Sequence, residues 1–280
     1  MTAPLKRVAM RRPASMLMAD TTEWHYGPTY DAAMIEEEHA AFADLVAQSG
    51  AEILWMDGDD NGIADSVFTY DASLMTPKGA ILMSPGKPLR KGEQELHRRF
   101  YKEQDIDIVG EILPPGTVEG GDTLWLDDGS LAVGRGFRTN QAGIEQLTAI
   151  LAEQGVTVHA YDMPIFHGEA ACLHLMSFIS PVDFKKAVIY APLMPVAFWQ
   201  LLTGMGYTLI EAAEADFVES NGLSLNILAT APGKCIMIDG YPSTVDAMEK
   251  AGVEVQVFKG DALCIACEGG PTCMTRPILR

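Results

Sequence analysis

The sequence predicts an α/β fold built as a closed, five-fold pseudosymmetric ring of ββαβ repeats, an α/β propeller. Three observations lead there. Helix-patterned segments alternate with short apolar runs from end to end of the 280 residues. A glycine follows four of those segments, at Gly50, Gly155, Gly206 and Gly252, and each is followed at once by an alternating run: AEILWM, VTVHAY, YTLIEA and VEVQVF. That order is expected of a helix C-cap leading into a strand. Finally, the last unit is incomplete, because DALCIACEG and PTCMTRPIL, read as strands near the C-terminus, need KRVAMRRP near the N-terminus to finish it. Units that bury their faces only on neighbours, and that join both chain ends, form a ring.

The elements follow in order. DAAMIEEEHAAFADLVAQS places Ala33, Ile35, His39, Phe42 and Val46 near helical spacing. Arg90 to Gln104 supplies another helix before DIDIVGEI, and NQAGIEQLTAILAEQ, PVAFWQLLTGM and STVDAMEKA repeat the pattern in shorter form. Between an alternating run and the next helix lie two further apolar runs, read as hairpins: SVFTYDASLM with GAILMSP, DTLWLDD with SLAVGRG, CLHLMSFIS with KAVIYAP, and LSLNILAT with KCIMIDG. No linker-like or low-complexity stretch divides the chain, so one domain over residues 1–280 is expected. A doubly wound sheet is the alternative; the paired strands and the lack of a GxGxxG or GxxxxGK loop speak against it.

Composition narrows the function. A net charge of −18 repels nucleic acid and anionic lipid, so neither is expected as a partner, and it suits a cationic small molecule. Lys6, Arg7, Arg11 and Arg12 interrupt any signal-like apolar run at the start, and no stretch is long enough to span a membrane. Five cysteines without framework spacing fit free thiols in a reducing compartment, and the expected location is cytoplasmic. Cys264, Cys267 and Cys273 lack an evident fourth ligand for zinc, so no metal and no cofactor is expected. On one extended strand Cys264 and Cys267 would face opposite sides, while Cys172 and Cys235 read as core, and Met16, Met18 and His39 as lid or core filling.

In a ring, equivalent positions of successive units converge on the axis. Asp65 and Asp71 bracket SVFTY, Glu119 and Asp122 bracket a Gly-Gly pair, His174 lies in LHL, and Cys273 follows GGPT. Asp71, Glu119 and His174 are spaced by about one repeat each, and His174 and Cys273 by about two. A thiol, an imidazole and carboxylates on one axis have a definite use. The thiolate attacks an sp2 carbon, the histidine protonates the departing amine and then activates water, and a carboxylate orients the histidine. Additional carboxylates select a cationic electrophile, a guanidinium or amidinium, whose charge also helps to ionise the thiol.

The blocks DSVFTYD, EGGDTLWL, VGRGFRTN, LHLMSF and GGPTCMT resemble the guanidine-modifying superfamily of the pentein fold, and within it the dimethylarginine dimethylaminohydrolases, from Arg11 to Cys273. The resemblance implies that Cys273 is the nucleophile, His174 the general acid and base, and Glu119 its carboxylate partner. Asp71 would clamp the guanidinium, Asp65 would contact the amino-acid end, and Arg138 would pair with the α-carboxylate as a planar donor. A second carboxylate-binding residue is expected at Arg90 or Lys91.

This chain departs from the family pattern in three places. Tyr70 stands where the dimethylarginine enzymes usually carry glutamate and the deiminases arginine. Met176 stands where deiminases and amidinotransferases carry an aspartate. The lid segment MADTTEWHYGPTYD is rich in aromatic residues, with Trp24, His25, Tyr26 and Tyr30 suited to stack on a guanidinium. The expectation is a hydrolase that cleaves a carbon–nitrogen bond of a guanidino compound, with dimethylarginine as the leading substrate. Amidinotransfer or deimination on the same scaffold, and a non-catalytic pentein binding module, are the alternatives; a homodimer is left open.

Overall fold

The computed structural model describes residues 1–168 and 173–280; Cys172 lies outside the described residues. In chain order the strands are β1 (Arg7–Met10), β2 (Glu52–Trp55), β3 (Ser73–Thr76), β4 (Gly79–Leu82), β5 (Ile108–Glu111), β6 (Thr123–Asp127), β7 (Ser130–Arg135), β8 (Thr157–Asp162), β9 (Ile179–Asp183), β10 (Lys186–Ile189), β11 (Thr208–Glu211), β12 (Leu228–Ala231), β13 (Lys234–Ile238), β14 (Glu254–Phe258) and β15 (Arg276–Leu279). The helices are α1 (Thr21–Trp24), α2 (Ala32–Gln48), α3 (Glu93–Glu103), α4 (Gln141–Ala152), α5 (Val196–Gly204), α6 (Glu214–Glu219) and α7 (Pro242–Lys250).

The strands form five three-stranded sheets: β15-β1-β2, β3-β4-β5, β6-β7-β8, β9-β10-β11 and β12-β13-β14. In each, the middle strand pairs antiparallel with one neighbour and parallel with the other. A tight turn suffices for the antiparallel partner, whereas the parallel one needs a crossover, supplied by α2, α3, α4, α5 and α7 in turn. The fifth sheet is made by the two ends of the chain, with Arg7 opposite Leu279 and Ala9 opposite Arg276. The expected ring of ββαβ units is therefore present.

Local sequence explains the elements. Asp31 and Asn140 accept backbone N–H groups at the starts of α2 and α4 through their side chains. Gly50, Gly155, Gly206 and Gly252 all have positive φ and release the chain from its helix, as the sequence predicted. Middle strands such as β4 and β13 are buried almost throughout, which is why GAIL and KCIMI read as continuous apolar runs rather than alternating ones.

Several expectations are corrected. DALCIACEG is not a strand: Asp261–Ile265 forms a π-helical turn, held by the buried Glu38 carboxylate, which accepts from the Ala262 and Leu263 amides at 3.2 and 2.8 Å. Cys264 and Cys267 are accordingly both buried instead of facing opposite sides. DSVFTYD and LHLMSF are likewise not strands; short 3-10 turns at Ala64–Val67 and Leu175–Ser177 precede β3 and β9. Apolar runs this short carry no usable period. Cys235, Met16 and His39 are buried as read, but Met18 is exposed, because its 3-10 turn at Met16–Met18 directs only Met16 inward. Among the described residues, no helix is long and apolar enough to cross a membrane.

Gly79 shows how tightly the units are closed. Its φ is 139°, and a Cβ there would lie 2.3 Å from the Asp107 carbonyl oxygen. Gly79→Ala is expected to lower stability by about 2–4 kcal/mol, read as a fall in Tm. An unchanged Tm would contradict this account of the β4–β5 junction.

Candidate active site

Each hairpin is entered through a tight turn, and that turn carries one polar side chain toward the axis. Asp71 precedes β3, Glu119 precedes β6, His174 precedes β9, Asn226 precedes β12 and Cys273 precedes β15. Sequence reasoning missed Asn226. The signal was there, because His174 and Cys273 are two repeats apart and the intervening repeat had no member assigned to the axis.

Glu119 is the most heavily bonded of these. Its Oε2 lies 2.7 Å from His174 Nε2, its Oε1 accepts the Gly86 and Lys87 amides at 2.9 and 3.0 Å, and Arg138 Nη1 approaches both oxygens at 3.2 and 3.3 Å. Burial pushes this carboxyl up, but the histidine bond and the Arg138 charge outweigh it and hold it well below the usual range. His174 is fixed at its other end by the backbone, where its amide donates to Ser177 Oγ at 3.0 Å. Gly121 packs flat against the ring: a Cβ would fall 2.5 Å from Nδ1. The Gly-Gly pair is thus a requirement of close approach, and so are Gly269 and Gly270, whose Cβ atoms would strike Phe68 and Asn226. Neither Gly269 nor Gly270 has positive φ, so backbone freedom is not what these two supply.

Asp71 accepts the Gly121 amide at 2.7 Å and Arg90 Nη1 at 2.5 Å. Burial raises its pKa, and Arg90, with a further contribution from His174, more than reverses the effect. Arg90, expected with Lys91 as a candidate for a ligand carboxylate, lines the cavity with its guanidinium already engaged by protein groups. Arg90 is buried and gives Nε and Nη2 to Glu93 at 2.8 Å each, Nη2 to the Phe68 carbonyl at 3.1 Å, and Nη1 to Asp71, while Lys91 points to solvent. Lys87 lines the cavity as well, with Arg90 and Arg138; its Nζ lies 2.6 Å from Asp65 Oδ2 and 5.1 Å from the Trp24 ring. Asp65 also accepts from Tyr26 Oη at 2.8 Å, so the aromatic segment is tied down over the site.

Cys273 Sγ accepts from Asn226 Nδ2 at 3.0 Å. Desolvation, then the Asp71 charge, push its thiol up to about 11. Tyr70 is buried, its ring covered by the Arg276 guanidinium at 3.8 Å. Asp122, also buried, accepts the Leu175 amide at 3.0 Å, and desolvation raises it to about 6.

Two cavities meet at the thiol, sharing Cys273, His174 and Glu268. One, with about 450 Å³ of empty space, is lined by Asp65, Asp71, Lys87, Arg138 and the aromatic Trp24 and Tyr26. The other, about 780 Å³ and open to solvent, lies against Tyr70, Met176 and Asn226. Asp71, Glu119 and His174 offer ligand atoms within 4.8 Å of one another, a spacing that could suit a metal. Two guanidiniums already neutralise both carboxylates, so the set is better matched to organic chemistry than to a further cation of high charge.

The chain matches the arginine deiminase family model over residues 62–204 and 195–280. It is 28% identical over 276 residues to the N(G),N(G)-dimethylarginine dimethylaminohydrolase of Pseudomonas aeruginosa, covering 96% of this chain and 98% of that protein. It is 30% identical to an arginine deiminase of Mycobacterium avium, over 76% of this chain and 60% of that one. A cysteine-to-serine mutant of the Pseudomonas aeruginosa enzyme, complexed with citrulline, superposes with a TM-score of 0.79 at 25% identity, covering 97% of this chain and 98% of that one. The N-terminal domain of a cyanobacterial arginine dihydrolase shares the fold, with a TM-score of 0.82 at 18% identity, over 98% of this chain and 97% of that one.

The raised Cys273 pKa has a measurable consequence. Alkylation of Cys273 by iodoacetamide, resolved by peptide mass spectrometry, is expected to rise about tenfold per pH unit without a plateau up to pH ~9.5. Asp71→Asn removes the charge that opposes ionisation and should speed the reaction at pH 8 about tenfold. A plateau below pH ~8 in the unliganded protein would contradict this electrostatic picture.

Proposed function

Because the chain belongs to the arginine deiminase family of the pentein superfamily and is a hydrolase of amidine carbon–nitrogen bonds, we propose that Cys273 is its nucleophile and an Nω-methylated L-arginine its substrate. The observation that carries this reading is the placement of Cys273 and His174 on the wall shared by two cavities of opposite character. On one side Arg138 and Lys87 provide cations for an α-carboxylate and Asp65 an anion for an α-ammonium, while Asp71 sits where the guanidinium would arrive. On the other, Tyr70 and Met176 give an uncharged, buried surface suited to alkyl groups on the far nitrogen.

The groups act in sequence. Burial and the Asp71 charge keep the Cys273 thiol protonated; a guanidinium bound against Asp71 offsets that charge, its own charge favours the thiolate, and the thiol proton passes to His174. Sulfur attacks the guanidinium carbon, and the tetrahedral adduct collapses as the substituted nitrogen takes a proton from His174 and leaves as an amine. The remaining thiouronium is attacked by water, which gives a proton to His174; the carbon–sulfur bond breaks, releasing citrulline and the thiolate. Glu119, ionised and bonded to Nε2, stabilises the imidazolium in both halves. Asn226 holds the sulfur in line through its amide. The roles of Arg90 and Glu93 are indirect: they fix Asp71 and keep it charged.

The test is turnover of Nω,Nω-dimethyl-L-arginine, Nω-methyl-L-arginine and L-arginine, followed by citrulline formation. The methylated compounds are expected to exceed arginine in kcat/KM by about tenfold or more, because Met176 and Tyr70 offer no charged partner to an unsubstituted nitrogen. Faster turnover of arginine would assign deimination instead. Cys273→Ser should abolish the reaction, and Arg138→Lys, which loses the planar donor pair, should raise KM about tenfold with a smaller change in kcat. Citrulline formation that survives Cys273→Ser would refute the reading.

A further inference from the structure

The cavity beyond the thiol opens to solvent and extends from Tyr70 and Met176 to Glu219 and Asn221. Its lining changes character with depth. Tyr70 and Met176 at its base are buried, whereas Glu219, Asn221 and Glu268 are exposed at its rim. Among the described residues, neither lysine nor arginine lines it. Glu268 also lines the other cavity, so it stands at the junction beside Cys273, and it does so with a left-handed backbone, φ 58°, that a non-glycine residue adopts only at some cost.

We propose that this cavity is a subsite for the departing amine, built for an Nω-substituent with a short alkyl stem and a terminal ammonium. The inference rests on the guanidino-hydrolase reading above and extends it from the guanidinium to the group expelled. The stem would pass the uncharged surface of Tyr70 and Met176, and the ammonium would reach the carboxylates at the rim. Collapse of the tetrahedral adduct would then transfer the His174 proton to the substituted nitrogen and release a diamine, with citrulline produced as before. An anionic substituent of the same length would meet Glu219 and Glu268 as like charges.

The probes are Nω-(3-aminopropyl)-L-arginine, Nω-butyl-L-arginine and Nω-(3-carboxypropyl)-L-arginine, compared with Nω-methyl-L-arginine by citrulline formation. The aminopropyl compound is expected to match or exceed the methyl compound in kcat/KM and to exceed the carboxypropyl compound at least about tenfold. Glu219→Lys, a change at an exposed helix end, should reverse or erase the aminopropyl preference while leaving Nω-methyl-L-arginine turnover unchanged. If the methyl compound is turned over but all three longer compounds fall about a hundredfold or more below it, the subsite assignment is wrong and the hydrolase reading stands. Equal turnover of the three longer compounds, insensitive to Glu219→Lys, overturns the charge selectivity. Citrulline from none of the four overturns both.

Discussion

The pairing of β15 with β1 is the constraint on which everything else depends. It joins the two ends of the chain into one sheet, with Ala9 opposite Arg276. Cys273 lies three residues before β15, so the strand that closes the ring also sets the thiol at the axis. Asp71, Glu119, His174 and Asn226 come from four separate units with no covalent reason to meet. Only a closed circuit of neighbouring units brings their turns to a common centre. The backbone bond from the Tyr70 amide to the Cys273 carbonyl, 2.9 Å, ties the last unit directly to the first.

Closure creates an electrostatic problem that the buried arginines solve. Asp71 and Glu119 would each be costly if ionised and unpaired at the axis. Arg90 donates to Asp71 and gives two further bonds to Glu93, and Arg138 donates to Glu119. Removing one partner of such a buried pair costs about 3–5 kcal/mol, so the arginines and carboxylates must be understood as one unit. Burial, and after it the charge kept on Asp71, raise the Cys273 pKa. In the proposed function, a cationic guanidinium would offset the Asp71 charge and so couple binding of the correct charge to ionisation of the thiol.

The glycines at the centre have a shared purpose. Gly120, Gly121, Gly269 and Gly270 each sit where a Cβ would strike a neighbouring side chain or backbone atom. Their absence of side chain lets backbone approach the imidazole, the Tyr70 carbonyl and Asn226 at contact distance. The site is made of turns packed on turns, and its precision comes from this close packing more than from the strands that carry it.

By itself the sequence determined the ring, because helix period, C-cap glycines and apolar run lengths are local properties and the incomplete last unit implied its own closure. It also determined which polar types lie on the axis, since Asp71, Glu119, His174 and Cys273 recur at repeat spacing. It did not determine what each charged group faces. Arg90 and Lys87 are equally basic on paper, yet Arg90 is buried and paired with Asp71 and Glu93, whereas the less buried Lys87 pairs with Asp65. Nor could it separate a strand from a 3-10 or π turn in DSVFTYD or DALCIACEG, where short buried runs have no period to read. Asn226 and the second cavity emerged only with the tertiary structure. Both depend on contacts between units far apart in the chain, and such contacts are fixed by packing across the ring, which no local pattern encodes.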